Sequence, residues 1–337
     1  MNIIKILSKI YASLSFIERK FFETFSFLSY RPKAKVISIG NLSMGGTGKT
    51  PVLFELLKEF KENRPDLKIA VLTRGYRCPW EKSFYELYGN KEHPFELTDE
   101  ALMLNKRFPN IPVLVGKNRH HAAIIGEGRF NPDVIILDDG FQYRRLPKDI
   151  NIILWDAMSK PEEAATVPAG RLREPIERLK VADYILLTRC ESAPEQQIQY
   201  WEKWLKEKAA NIPVIKTQTV TEGIFDYNGA QRSSSENNKV LAFSAIGRPE
   251  SFYAQLEACG CKIEAKKEFR DHHRFSDKDL SELLKEAQEK NLSLICTEKD
   301  AIKIKPDMAE KLNLSVLRIK TLPLSGKKFL EEASRII

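Results

Sequence analysis

The stretch Ser38-Ile-Gly-Asn-Leu-Ser-Met-Gly-Gly-Thr-Gly-Lys-Thr-Pro51 constrains this chain more than any other. It follows a β-branched run, Lys35-Val-Ile-Ser-Ile39, that reads as a buried strand. It precedes Val52-Leu-Phe-Glu-Leu-Leu-Lys-Glu-Phe60, whose apolar periodicity reads as a helix. Strand, glycine loop, Lys-Thr and helix together form the layout of a phosphate-binding loop. Glycines let successive amide N–H groups converge on phosphate oxygens, and the helix N-terminus adds its positive dipole end. Ser43, Met44, Gly45, Gly46, Thr47, Gly48, Lys49 and Thr50 are therefore the expected nucleotide cradle. Lys49 would reach the β- and γ-phosphates, and the Thr50 hydroxyl would bind Mg²⁺. Ser43 stands where the motif usually opens on glycine, and Gly45 and Gly46 lie inside the loop instead.

A second strong signal is Asp133-Val-Ile-Ile-Leu-Asp-Asp-Gly-Phe-Gln142. Four apolar residues ending in Asp138 and Asp139 predict a buried strand that delivers carboxylates to the phosphate site, as a Walker B strand does. Mg²⁺ takes hard oxygen ligands, commonly one or two protein carboxylates together with phosphate oxygens. Further strands are expected at 68–74, 111–115, 151–155 and 182–188. Arg74, at the carboxyl end of the first of these, is a candidate anion contact. Residues 77–97 read as an irregular, mobile loop. Thr98 can cap a helix with Asp99 and Glu100 in its first turn, which taken locally is helix-dipole pairing. Lys117, Arg119, His120 and His121 read as a solvated basic helix start. The loop Val167-Pro-Ala-Gly-Arg-Leu-Arg-Glu-Pro175 carries Arg171, Arg173 and Glu174, either a clamp on transferring phosphate or an ordinary surface loop, and its local sequence alone does not assign it a function.

The first thirty residues contain no apolar run long enough to span a bilayer. Ile3, Leu7, Ile10, Leu14, Ile17, Phe21, Phe25 and Leu28 nevertheless fall on one narrow helical stripe. Lys5, Lys9, Arg19 and Lys20 lie opposite, and Arg31, Lys33 and Lys35 follow. This is the pattern of a basic amphipathic helix lying in a membrane interface; the bland alternative is a helix that packs on the domain. Charges spread throughout, with no small-residue cleavage site, argue against a signal peptide.

The second half restarts a strand–helix rhythm. A polar stretch at 229–239 is the best linker candidate. After it come strands near 240–244, 261–269 and 293–296, and a helix at 277–290 capped by Ser276. The expected layout is a membrane-associating helix over 1–30, a phosphate-binding-loop domain over 31–220, a linker over 221–240 and a smaller α/β domain over 241–337. The fold class is α/β: a mostly parallel P-loop-type sheet with helices on both faces, plus the smaller domain and the N-terminal amphipathic helix. Five scattered cysteines indicate reduced thiols and a cytosolic compartment. Cys259 and Cys261 read as packed thiols at a helix end, too close together for a zinc pair. A net charge of +8 suits an anionic partner without naming it. Asp271-His-His273 is a local concentration of histidine beside a carboxylate, structural as a rule but also how a general base is built.

Taken together, the motifs resemble the tetraacyldisaccharide 4′-kinase family of lipid A synthesis. The residues that carry the resemblance are Gly40 to Pro51, Arg74-Gly-Tyr76, Asp99-Glu100, Asp138-Asp-Gly-Phe-Gln142, Pro168-Ala-Gly-Arg-Leu-Arg-Glu-Pro175, Phe243-Ser-Ala-Ile-Gly247, Asp271-His-His273 and Thr297-Glu-Lys-Asp-Ala301. They run in order from residue 38 to 301. The resemblance implies an ATP- and Mg²⁺-dependent kinase acting on the 4′-hydroxyl of a lipid A disaccharide 1-phosphate. It also implies a membrane-associating N-terminal helix and a peripheral place on the cytoplasmic face of the inner membrane. It places the catalytic base on Asp99, against the local reading, with assistance from His272 or its neighbour His273. It places Mg²⁺ among Thr50, Asp138, Asp139 and Glu174, and Arg173 beside Lys49 in catalysis. Thr98 and Tyr143 depart from the family's usual Gly and His.

Under that reading Asp99 accepts the sugar hydroxyl proton, while Lys49, Mg²⁺ and the arginines stabilise the in-line phosphoryl group. Asp99 and His272 lie in different domains, so closure would assemble the site. Expected partners are the glycolipid and a membrane surface, with no nucleic acid and no obligate protein partner. The first rival is a metal-delivery or signal-recognition type GTPase. Those share the glycine loop, and Thr297-Glu-Lys-Asp300 is a near miss of their guanine motif. A nucleotide-gated membrane adaptor is the second rival, and a nucleic-acid binder, for which no recognition module is seen, is the third.

Overall fold

The computed structural model describes residues 3–76, 78–89, 94, 96–232 and 239–324. Its elements, in chain order, are α1 (Ile3–Thr24), β1 (Lys35–Asn41), α2 (Lys49–Asn63), β2 (Ile69–Thr73), β3 (Tyr85–Leu87), α3 (Asp99–Arg107), β4 (Val113–Val115) and α4 (Arg119–Phe130). There follow β5 (Val134–Asp138), β6 (Ile150–Asp156), β7 (Tyr184–Thr188), α5 (Glu195–Lys208) and β8 (Val214–Asp226). The last group is β9 (Lys239–Ser244), α6 (Pro249–Ala258), β10 (Lys262–Glu268), α7 (Asp277–Glu289), β11 (Ser293–Thr297), α8 (Glu298–Ala301), α9 (Pro306–Lys311) and β12 (Ser315–Pro323).

The chain forms two compact units. One runs up to Thr219 and resumes at Thr321; the other spans Val220 to Lys320. Within the expected linker over 221–240, β8 continues through Asp226 and β9 has begun by Lys239. Residues 233–238 of that stretch lie outside the described residues. The second unit also ends before the chain does, at Lys320 rather than at residue 337.

In the first unit the strand order is β8-β7-β6-β1-β5-β2-β4-β3. Every registered pair is parallel except β3 with β4, which is antiparallel. Parallel strands joined by crossover helices are covered on both faces and read as nearly continuous apolar runs, which is why β1, β2 and β5 were legible. Alternate side chains serve alternate faces. Ile37, Ile39, Val71 and Ile136 pack against Val52, Leu53, Leu56, Leu57 and Phe60 of α2. Val36, Leu72, Ile135 and Leu137 pack on the other face against Ala122 and Ala123 of α4. At the β6–β7 end, Ile153, Trp155 and Leu187 meet Ile198, Trp201 and Leu205 of α5. Each fully buried Leu or Phe contributes about 1.5–3 kcal/mol relative to exposure.

The second unit is also α/β, with strand order β10-β9-β11-β12-β8. Its β9, β10, β11 and β12 pair in parallel. Leu241 and Phe243 pack with Leu280 and Leu283 of α7 on one face. Val240 and Ala242 pack with Phe252 and Leu256 of α6 on the other. Cys259 caps the end of α6, and all five cysteines are free thiols.

The N-terminal helix inverts the usual packing rule. Its apolar stripe faces solvent: Ile3 is 71% exposed, Leu14 60% and Ile17 61%. Its polar stripe does the docking. Ser8 bonds to the Thr166 carbonyl at 2.7 Å and to its hydroxyl at 2.6 Å, and Tyr11 donates to the Arg173 carbonyl at 2.9 Å. Arg144 donates to the Ser15 hydroxyl at 3.3 Å and pairs with Glu18 at 3.6 Å. Positions 8, 11, 15 and 18 share one helix face, so the contact is a seam rather than a chance touch. Among the described residues no helix is long and apolar enough to cross a membrane.

Candidate active site

The site is built at the carboxyl ends of β1, β2 and β5, where parallel α/β sheets gather their ligands. The chain leaves β1 at Asn41, turns through Ser43 to Gly48 and enters α2 at Lys49. Gly45 and Gly48 adopt φ of 106° and 86°, left-handed conformations that suit glycine and not a side chain. The loop is braced by the glycine–proline segment expected to lie beside it. The Met44 amide donates to the Arg171 carbonyl at 2.8 Å, and the Arg173 amide to the Leu42 carbonyl at 2.6 Å. Gly40 has a separate reason: a Cβ there would sit 2.6 Å from Cβ of Phe141, so β1 approaches the acidic turn as only glycine allows.

At the centre is Asn41, wholly buried, a residue that the sequence reading passed over. Its side-chain oxygen accepts from Lys49 Nζ at 3.1 Å and from Arg173 at 2.5 Å. Its amide nitrogen donates to the Ser43 carbonyl at 2.8 Å, and its own carbonyl accepts from Gln142 at 2.8 Å. One amide thus ties loop, lysine, arginine and acidic turn together. Nothing in its local sequence marks it, because its partners come from four places in the chain.

The two carboxylates of the acidic turn have opposite surroundings. Asp138 is buried at the end of β5 and accepts from Thr73 Oγ1 at 3.1 Å. Burial, then the negative charges of Glu100 and Asp139, push its pKa up to about 6 against the pull of Lys49 and Thr73. Asp139 follows at a left-handed φ of 48°. Burial would raise it too, but the Arg173 hydrogen bonds and the charges of Lys49, Arg173 and Arg119 overcome this and hold it below the usual carboxylate range. Arg173 grips it with two bonds of 2.9 Å, and Lys49 lies 3.5 Å away. The turn is fixed from behind by Arg119, expected on a solvated face but in fact buried. It donates to the carbonyls of Asp138 and Asp139 at 3.0 and 2.9 Å, over the ring of Tyr143.

The remaining expected residues are placed as follows. Thr50 lies in the first turn of α2. Thr98 caps α3 by accepting from the Ala101 amide at 3.4 Å, leaving Asp99 and Glu100 as the first two helical residues. The negative charge of Glu100 contributes to the raised pKa of Asp138. Arg74 pairs with Glu81 at 2.9 Å and lies over Tyr76. Glu174, expected at the metal, is only 2% exposed and faces two guanidinium groups instead: Arg178 at 3.0 Å and Arg144 at 3.5 Å. Both of its oxygens face cations. Asp139, paired with Arg173 and Lys49, is likewise engaged.

Of Asp138, Asp139 and Glu174, only Asp138 has no cation within ion-pair distance among the described residues, and a hard carboxylate at a strand end fits Mg²⁺. Among the described residues no three His, Cys, Asp or Glu side chains converge as a metal site. In the second unit, His273 is locked to Asp279 at 3.1 Å and stacked on Phe269, whereas His272 is exposed, near Lys299 at 3.4 Å and Asp271 at 3.9 Å. Thr297 and Asp300 do not form a base-recognition motif. Thr297 caps α8, and Asp300, fully buried, accepts from the Ala245 amide, Thr297 and Lys303.

A glycine loop between strand and helix, its lysine facing an acidic strand end on a parallel sheet, defines a P-loop nucleotide-binding protein. The sequence model of the tetraacyldisaccharide-1-P 4′-kinase family matches residues 1–334. The tetraacyldisaccharide 4′-kinase of Pelodictyon phaeoclathratiforme is 34% identical, over 91% of this chain and 89% of that one. That of Chlorobium phaeovibrioides is 32% identical, over 98% of this chain and 95% of its own. Among solved structures, an "apo" form of LpxK from Aquifex aeolicus in complex with ATP is 28% identical. It covers 98% of this chain and 97% of that one, with a TM-score of 0.79. The chain belongs to the tetraacyldisaccharide-1-P 4′-kinase family: it is a kinase of lipid A synthesis that draws its phosphoryl group from ATP with Mg²⁺. The GTPase alternative falls with this assignment.

Proposed function

We propose that this kinase works at a membrane surface, on the cytoplasmic face of the inner membrane, and phosphorylates the 4′-hydroxyl of a tetraacyl disaccharide 1-phosphate held there. One observation carries the reading. The N-terminal helix is bolted by its polar stripe to the loop that delivers Arg173, and its apolar stripe is left outward. An apolar helix face in water is costly; against acyl chains it is stabilising, at about 25 cal/mol per Å². The same helix would thus bring the acceptor lipid to the arginine beside the transferring phosphate.

The contacts around the loop support a division of labour. The loop amides and Lys49 bind the triphosphate, and Lys49 must exchange its bonds to Asn41 and Asp139 for phosphate oxygens. Asp138 and Thr50 would hold Mg²⁺, which would supply charge neutralisation to the transferring phosphate. Arg173, oriented by Asp139 and Asn41, stabilises the transferring group. Asp99 takes the proton from the sugar hydroxyl.

The test is Asp99→Ala. Its kcat should fall by about 10²–10⁴-fold while ATP affinity stays near wild type. Near-normal turnover would remove Asp99 from the base role.

A further inference from the structure

We infer that Thr188 and Arg189, at the end of β7, are positioning residues for ATP: they pin two consecutive carbonyls of the phosphate-binding loop, turning the amide N–H groups of Thr47 and Gly48 toward the nucleotide. Thr188 Oγ1 donates to the Thr47 carbonyl at 2.9 Å and lies 3.2 Å from the Trp155 carbonyl. One terminal nitrogen of Arg189 donates to the Gly46 carbonyl. The other pairs with Asp156 at 2.7 Å. Asp156 is itself fixed, 6% exposed, with its second oxygen accepting from the Met158 amide at 3.0 Å.

In a trans peptide the carbonyl of one residue and the N–H of the next point in opposite directions. Tethering the Gly46 carbonyl therefore aims the Thr47 N–H away from Arg189. Tethering the Thr47 carbonyl does the same for the Gly48 N–H. Glycine-rich loops pivot freely, and unpinned amides would sample many orientations before a phosphate arrived. Among the described residues no protein group accepts from the amides of Gly45, Gly46, Thr47 or Gly48. The loop is thus braced through its carbonyls and leaves its donors for the ligand. Arg189 holds this position at a left-handed φ of 61°, strained for a non-glycine residue and a mark of a placement that the surrounding structure enforces. The strand end stays in register because the Cys190 amide donates to the Thr217 carbonyl at 3.1 Å.

The inference rests on the loop being the ATP site, and wild-type ATP binding in the same experiment reports on that separately. The full-length chain is compared with Thr188→Val, Thr188→Ser, Arg189→Ala and Arg189→Lys. The readouts are binding of a fluorescent ATP analogue, lipid kinetics, and hydrogen–deuterium exchange of the loop amides without nucleotide. Thr188→Val and Arg189→Ala should each weaken ATP binding by about tenfold, the loss of one carbonyl tether, with KM for the lipid unchanged. Thr188→Ser, which keeps the hydroxyl, should restore binding. Loop amides should exchange faster in Arg189→Ala than in wild type. An arginine that instead touched phosphate directly would weaken ATP binding in Arg189→Ala while leaving exchange in the nucleotide-free protein unchanged. That result, or unaltered ATP binding in both Thr188→Val and Arg189→Ala, overturns the inference. Exchange in Arg189→Ala decides the matter even if Thr188→Val fails to fold.

Discussion

Lys148 shows how much a single residue's chemistry depends on distant chain. It donates to the Phe141 carbonyl at 2.9 Å, among Arg119, Arg144, Arg178 and Glu174. Burial lowers its pKa to about 7, Glu174 opposes this, and the three arginines add to it. Between about 7 and the ordinary value of 10.5 the unfolded chain holds a proton that the folded protein has released. Stability from this group therefore rises with pH across that window and is lost as pH falls toward 7. Lys148→Met removes the titration. The melting temperature of wild type relative to this variant should climb between pH 7 and about 9. Parallel curves would show that Lys148 keeps its ordinary proton when folded. Sequence reading reached the residues of this site whose neighbours are local, such as Thr98 capping α3 and the glycines of the loop. It missed Asn41 and read Arg119 as solvated, because the contacts of Asn41 with Arg173 and of Arg119 with the acidic turn join parts far along the chain.

Among elements, the strands were the most legible, since burial on both faces writes a continuous apolar run. The N-terminal helix was legible as a pattern but not in its orientation. An apolar stripe ordinarily faces the core; here the decisive residues are Ser8, Tyr11, Ser15 and Glu18, whose spacing is visible in sequence but whose partners are not. Irregular residues 77–97 hid the short strand β3, too brief for periodicity to mark. Because Leu14 faces solvent and the docking bonds are made by Ser8, Tyr11, Ser15 and Glu18, Leu14→Asp should leave the fold intact and reduce co-sedimentation with anionic liposomes by about tenfold or more, the cost of placing a charge in an apolar interface. Unchanged sedimentation would refute the interfacial role of α1, as would a wild-type chain that does not sediment.

At the scale of the whole molecule, two α/β units share one chain, each with its own core on both faces of its own strands. The boundary at Thr219 was hard to read because it falls inside β8, before the polar stretch at 229–239 that composition had marked. The family was readable because its motifs are spread over almost the full length and keep their order. The central claim is that this chain moves the terminal phosphoryl group of ATP to a glycolipid alcohol through Lys49 and its loop. It is tested most directly by following labelled γ-phosphate from ATP into a tetraacyl disaccharide 1-phosphate in mixed micelles, with wild type and Lys49→Ala side by side. The account predicts label at the 4′ position with wild type, dependent on Mg²⁺, and a loss of about 10³-fold or more with Lys49→Ala. Label that stays in ATP or appears only as free phosphate with wild type, or transfer by Lys49→Ala at the wild-type rate, would contradict it.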